Sequence, residues 1–415
     1  MFDTASSADE EGRLWARLGE LETAKSAAAA EQARVTAELD RMRRAAEAAA
    51  GMPAAKRGRG LAAEIALARR DSPHRGGRHL GFARALVHEM PHTFAALECG
   101  ALSEWRATLI VRESACLSIA DRGALDAELC GNVRQLAGKG DKRITAEAKK
   151  IAYRLDPQAV VDRAAKAVGE RTVTIRPAPD TMTYVTALLP VAQGVGVYAA
   201  LKRAADTTFD DRSRGQVMAD TLVARITGTP ADVAAPVAVN LVITDQTLLA
   251  GDPEPAHLQG HGPIPAPVAR RMVHDAVADK RSKATLRRLY THPRSGALVA
   301  MESRSRCFPK ALATFIDLRD QTCRTPYCDA PIRHHDHAQP HHHGGPTSAL
   351  NGLGECAACN YTKEADGWQV TTTEIDGTHT AAFTTPTGAT YDSTAPPPPG
   401  AVDQQVNVAS ATRAA

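Results

Sequence analysis

The densest chemistry in the sequence lies in two cysteine pairs and the histidine run between them. Cys323-Arg-Thr-Pro-Tyr-Cys328 and Cys356-Ala-Ala-Cys359 are separated by 27 residues. Each pair reads as a knuckle that turns two thiolates toward one ion. Two knuckles make the tetrahedral four-sulfur shell of a closed structural zinc (Zn2+) site. A reducing compartment disfavours disulfides, so paired cysteines there read as metal ligands. The other four, Cys99, Cys116, Cys130 and Cys307, are scattered. Between the pairs, Arg333-His-His-Asp-His-Ala-Gln-Pro-His-His-His343 places six of the 15 histidines within ten residues. Asp336 followed directly by His337 sets a hard oxygen ligand and an imidazole together at one strand end. The oxygen suits Mg2+ or Mn2+, and the imidazole titrates near neutrality, where it can take a proton from water. Gly344-Gly345 allow a sharp turn, and Thr347, Ser348 and Asn351 can hydrogen-bond the loop backbone. Asn360 begins a helix after the last cysteine, so its carboxamide oxygen can complete a metal site opposite Asp336. Lys363, further along that helix, can meet a phosphate.

Strand, loop, strand and helix must position these groups. Upstream, residues 61–225 read as mostly helical, with 3.6-period apolar faces over 61–70, 81–89, 102–118, 124–135 and 145–168. Thr172–Arg176 and Met182–Leu189 alternate like strands, and Val237–Thr244 is the best strand in the chain. Gly260–Pro267 is a loop that hands over to a helix near Val268. Between 270 and 310 there are eleven cations against three anions. With Arg270, Arg271, Arg287 and Arg288, this stretch reads as a phosphate-backbone surface ahead of the cysteines. At the other end, Leu14, Leu18, Leu21, Lys25, Ala28, Gln32, Val35, Leu39 and Met42 fall at alternating spacings of four and three. That heptad seam fits either a homodimer or one long helix packed on its own domain.

The layout around the cysteines is that of the ββα-metal nucleases. Asp336-His337, Asn351 and Asn360 resemble the HNH endonuclease signature in its Asp-His, Asn, Asn form. Cys356-Ala-Ala-Cys-Asn-Tyr-Thr-Lys363, followed by Gly367-Trp368, resembles the second half of its zinc-stapled version. Upstream, Glu64-Ile-Ala-Leu-Ala-Arg-Arg-Asp-Ser-Pro73, Asp210-Asp-Arg212 with Gln216 and Ala219-Asp220, and Gly260-His-Gly-Pro-Ile-Pro265 resemble the actinobacterial HNH family with a large N-terminal domain of unknown function. The resemblance covers roughly residues 60–375, leaving the heptad helix and the tail outside.

It implies that Asp336 and Asn360 ligate a catalytic divalent ion, that His337 is the general base, and that Asn351 holds the loop bearing His337. The four cysteines hold a zinc that does no chemistry. Many relatives carry His where Asn360 stands, and a neutral oxygen ligand favours Mg2+ or Mn2+. His334, His335 and His341–His343 carry no family role. The function implied is hydrolysis of DNA phosphodiester bonds. The competing readings are a non-catalytic zinc-stapled DNA-binding module and a partner-binding scaffold.

Length and composition bound the rest. The 415 residues make two to three domains at roughly 150 residues each. Hydrophobic residues at 43 % are ample for a packed core. No apolar run approaches the ~20 residues of a membrane helix, and the first thirty residues lack a secretory pattern. The chain therefore reads as soluble and cytoplasmic, with no membrane partner. Its net charge of +3 does not by itself announce a nucleic-acid binder, although 38 of the 50 cations are Arg. The expected architecture is multidomain α+β: a mainly helical N-terminal domain with a few strands, then a small zinc-stapled ββα-metal domain. Its parts are a heptad-like helix (1–50), a basic linker (51–60), the N-terminal domain (61–300), the nuclease domain (301–375) and a disordered tail (392–415).

Overall fold

The computed structural model describes residues 4–230, 240–278, 307–375 and 378–399. Most of the basic stretch, Arg287 and Arg288 included, lies outside these residues, as do Val237–Val239 of the expected strand. The described chain is mostly helical with small antiparallel sheets. It divides into two units, one reaching residue 167 and including 361–365, the other running from 168 onward. No helix among the described residues is long and apolar enough to cross a membrane.

The first unit is built from α1 (Thr4–Ala49), α2 (Leu61–Ala68), α3 (Pro73–Glu89), α4 (Pro91–Glu98), α5 (Glu104–Ser114), α6 (Ile119–Cys130), α7 (Asp141–Leu155) and α8 (Pro157–Val168). Pro73, Pro91 and Pro157 each open a helix. Proline costs nothing at the first position and forces the residue before it out of the helical region. The helix expected over 145–168 is accordingly two helices, broken at Asp156. Ser103 and Ser118 cap α5 and α6 by accepting from the backbone N–H three residues on.

Helix α4 has no capping side chain of its own, because Met90 precedes Pro91. Asp126 of α6 substitutes for one. Its fully buried carboxylate accepts from the His92 and Thr93 amides, both at 2.7 Å, and from the Thr93 hydroxyl at 2.5 Å.

Helix α1 is part of this unit, not an appendage to it. Ala29, Ala30, Ala33 and Ala37 pack into one core with Phe82, Ala83, Leu86, Leu97 and Ala107 of α3–α5. Small residues three and four apart let the partner helices approach closely. At the edge of this face Asp40 bonds Arg84 at 2.6 and 2.7 Å, and Arg43 grips Glu64 of α2 at 2.9 and 3.1 Å. A second core joins Met90, Ile110, Leu125, Leu129, Ile144 and Ile151 of α4–α7. Gly76 lets α3 cross α2: a Cβ there would stand 1.8 Å from the Ala62 carbonyl oxygen.

The second unit opens with the hairpin β1 (Thr172–Pro177) and β2 (Thr183–Leu188), then the helix pair α9 (Val191–Thr207) and α10 (Arg214–Thr227). Ser213 and Gln216 form a reciprocal capping box at the start of α10. The strand expected over Val237–Thr244 appears as β3 (Leu241–Val242), paired with β4 (Ala256–Leu258) and through it with β5 (Gly262–Ile264). Helices α11 (Ala266–Ala278) and α12 (Lys310–Asp320) follow.

Next come β6 (His334–His337), β7 (Gly352–Glu355) and α13 (Ala357–Lys363), the strand–loop–strand–helix order expected there. The chain closes with a meander of β8 (Gln369–Ile375), β9 (Thr378–Thr384) and β10 (Thr390–Thr394). The meander runs past residue 375, where the nuclease domain was expected to end, and Asp392–Thr394, expected in the tail, lie in β10. Phe383 and Ala381 of β9 and Val370 of β8 bury against Leu353 and Ala338, so the meander roofs the core of β6 and β7. Residues 400–415 of the expected tail lie outside the described residues.

Candidate functional site

Cys323, Cys328, Cys356 and Cys359 are all buried, and their sulfurs lie within 4.8 Å of one another. The Cys328 sulfur is 3.9 Å from that of Cys356 and 3.6 Å from that of Cys359. A tetrahedral ion with metal–sulfur bonds of about 2.3 Å holds its sulfurs about 3.8 Å apart. The cluster can hold a zinc ion. Crowding splits the acidities of the four thiols. Hydrogen bonds with Cys323 hold Cys328 and Cys356 below the ordinary thiol range and push Cys359 above it, while Cys328 raises Cys323. A dication among them would let all four ionise together. The first knuckle turns at Tyr327, which takes a left-handed φ of 61°.

The strand pair beside the cluster is in a definite register: His334 faces Glu355, His335 faces Gly354, Asp336 faces Leu353 and His337 faces Gly352. Helix α12 clamps it from behind. Arg319 donates to the carbonyls of Ala349 and Gly352, and the Gly354 amide donates to Asp320 at 2.7 Å. Arg324 is also buried, bonding Asp320 at 3.2 Å and donating to the Ser393 carbonyl of β10. Glycine is required opposite His337. A Cβ on Gly352 would lie 2.6–2.9 Å from Ile316, Phe308 and the Ser348 carbonyl.

Against this frame His337 is buried, its ring centroid 4.7 Å from that of Phe308, and its Nε2 is hydrogen-bonded to the Thr347 hydroxyl at 2.8 Å. Its Nδ1 lies 3.7 Å from Oδ1 of Asp336. The Asn360 carboxamide, reaching over from α13, meets Oδ2 of Asp336 at 2.6 Å and Oε2 of Glu355 at 3.1 Å, its nitrogen donating to both. Asn351 is buried and closes the loop. It accepts from the Gln339 amide at 2.9 Å and donates to the carbonyls of Gln339 and Pro346 at 3.0 and 2.9 Å.

The fold thus gathers Asp336, His337, Asn351 and Asn360 around one strand pair. Asn351 does so as a positioning residue for the loop and does not point at the carboxylate. Other groups read from the sequence fall elsewhere. Lys363 is nearly buried and pairs with Glu364 at 3.6 Å. Arg270 donates to the carbonyls of Thr247 and Asp252 at 2.9 and 3.2 Å, holding an earlier turn of the chain, while Arg271 stays exposed. Of the other histidines, His335 bonds Asp317 of α12 at 2.7 Å, and the His341 ring stands 5.6 Å from that of His337. Glu355 was not singled out in the sequence, yet it is fully buried at the Asn360 contact. Its only sequence signal was a carboxylate directly before Cys356 in a strand otherwise made of glycine and leucine.

The upstream motifs prove to be fold contacts. Glu64 takes the Arg43 pair, and Arg212 bonds Asp210 at 2.5 Å and Asp220 at 2.7 Å across the α9–α10 turn. A family model described as a domain of unknown function (DUF222) matches residues 16–320. The chain belongs to the DUF222 family. The DUF222 match begins inside α1, so the family domain takes in most of the helix that the sequence reading had set outside it. It ends at the last residue of α12, before Cys323, so the cysteine cluster and the β6–β7–α13 site lie beyond it. Comparison with curated proteins and with solved structures returns no match.

Proposed function

We propose that the C-terminal part of this DUF222 protein is an HNH-type endonuclease that hydrolyses DNA phosphodiester bonds with a divalent ion. The observation that carries this reading is the meeting of Asp336 and Asn360 at 2.6 Å beside buried His337, on a strand–loop–strand–helix unit joined to four clustered cysteines. The donor set fits Mg2+ or Mn2+. A half-turn of the Asn360 carboxamide presents its oxygen in place of its nitrogen, so Asp336, Asn360 and Glu355 then offer three oxygens to one hard cation. A bound cation supplies charge stabilisation at the phosphate and at the departing 3′ oxygen.

The protein's own groups do the rest. With Nε2 bonded to the Thr347 hydroxyl, Nδ1 of His337 stands on the side of Asp336, 3.7 Å from its Oδ1, and serves as the acceptor. There it takes the proton from the attacking water as the new P–O bond forms and the bond to the 3′ oxygen breaks. The leaving oxygen takes its proton from solvent. Phe308 and the Thr347 hydroxyl fix the imidazole plane, and Asn351 keeps the loop closed behind it. Zinc on the four cysteines orients α13, and with it Asn360, while taking no part in the reaction.

The test is nicking of supercoiled plasmid by the purified chain with Mg2+ or Mn2+. His337→Ala should lower the rate on the order of 10²–10⁴-fold with zinc content and helicity unchanged. Equal rates for variant and parent would remove His337 as the base. A parent that binds plasmid and never nicks it would leave the DNA-binding module as the better reading.

A further inference from the structure

Helix α1 has two long faces, and its own unit covers one of them. The alanine face is buried in the core with α3–α5. The seam about a third of a turn away is not: Leu14, Leu18, Leu21, Val35, Leu39 and Met42 are 45–65 % exposed. Lys25, Ala28 and Gln32 between them are exposed as well, and residues 9–22 are exposed on every side. A projecting helix of that length without packing is marginal in water. We propose that this seam binds the same seam of a second copy of the chain, as an antiparallel two-helix coiled coil.

Three observations select a second copy as the occupant. The seam keeps a strict 3.5-residue repeat from Leu14 to Met42. A helix that only lies on a globular core follows a 3.6 period, and the difference amounts to about 20° per heptad. A row that stays on the 3.5 stripe over four heptads is one that supercoils with another helix. Second, the seam reads alike from either end, with leucines outside and Lys25, Ala28 and Gln32 in the middle. An antiparallel two-fold sets Leu14 and Leu18 against Leu39 and Val35 of the second copy and keeps Lys25 from meeting its own equivalent.

Third, the flanking charges match in that arrangement. Arg17 and Glu38 lie on the same side of the seam, with side chains 64 % and 52 % exposed. The antiparallel pairing brings Arg17 to Glu38 of the second copy twice. Their present partners, Glu20 and Arg41, are three residues away on the same exposed surface, where such pairs are worth little and exchange readily. In this arrangement the projecting residues 9–22 of each chain lie along residues 31–44 of the other, the part backed by α3 and α4.

Sedimentation equilibrium of the full chain decides it, independently of any nuclease activity. The parent should sediment at twice the chain mass, and Leu18→Glu/Leu39→Glu at the single-chain mass under the same conditions. Both side chains are exposed, so far-ultraviolet dichroism and the thermal midpoint should report a folded domain in the variant. Arg17→Glu should weaken the dimer several-fold, and adding Glu38→Arg should restore it. A single-chain parent, a dimeric double-leucine variant, or a charge exchange that fails to restore the dimer would each overturn the proposal.

Discussion

Replacing Cys356 with Ser should act on the C-terminal site in a way that replacing His337 does not. His337 touches Thr347 and Phe308, and on the proposed reading its replacement removes the base while the cysteine cluster keeps its sulfurs. Cys356 contributes one of four buried sulfurs to a cluster whose apolar packing partner is Ala330. Removing one thiolate opens the shell, and a small unit of this kind folds around its ion. The expected outcome is loss of about one zinc per chain, with β6, β7 and α13 unfolding and α1–α7 intact. Zinc released by a mercurial reagent and limited proteolysis measure the two effects. A full zinc complement in the serine protein would dismiss the four-sulfur site.

Elements in this molecule are repeatedly finished by side chains from other elements. Asp126 of α6 caps α4 because Pro91 leaves Met90 as the preceding residue. Arg319 and Asp320 of α12 fix the start and middle of β7 in the same manner. Asp126→Ala should therefore cost far more than an exposed cap. It strands the buried Thr93 amide and removes the partner of the part-buried His92 amide, at about 1–3 kcal/mol for the first, so roughly 3 kcal/mol in all. The Thr93 hydroxyl keeps its contact with the Cys130 sulfur. Urea unfolding followed by helical dichroism should show the loss in the first unit. A change below about 1 kcal/mol would mean that water replaces the carboxylate. Helix α1 follows the same logic from the other side, since its alanine face completes the packing of α3–α5 and its leucine seam is left for another chain.

At the scale of the whole chain, the second unit should be the acid-sensitive one. His379 of β9 is buried, and burial, helped by Arg319 and Arg324, pushes its pKa down from 6.5 to about 4. Its Nε2 bonds the Leu350 carbonyl at 2.8 Å, which couples β9 to the loop before β7. The folded state thus keeps the ring neutral where the unfolded chain binds a proton. Stability from this group is complete above about pH 6.5 and declines as the pH falls toward 4, by about 2–3 kcal/mol at pH 4.5. His379→Gln keeps a donor and removes the titration, so its urea midpoint should fall less than the parent's between pH 6.5 and 4.5. The cysteines titrate alike in both proteins and cancel in the difference. Parallel pH profiles would show that His379 is protonated in the folded state.

Periodicity and spacing settled what is local. Most helices and the β1–β2 hairpin of the first two hundred residues, the four-cysteine cluster, and the order of β6, β7 and α13 follow from patterns only a few residues long, because caps, prolines and ligand spacing act over one turn. Helix α4 and the start of α9 were not read. What was not legible is what depends on partners distant in sequence. Glu355 looks like any strand-end carboxylate until Asn360 comes down on it. Lys363 and Arg270 read as free cations, yet one is buried and the other holds carbonyls of a turn some twenty residues before it. The meander β8–β10 is rich in threonine, and its role shows only when Phe383 and Val370 close over Leu353. The leucine seam and the alanine face of α1 were both written in the sequence. Which of them turned inward was decided by the tertiary structure, because small side chains let α3 and α4 approach the helix where leucines would hold them away.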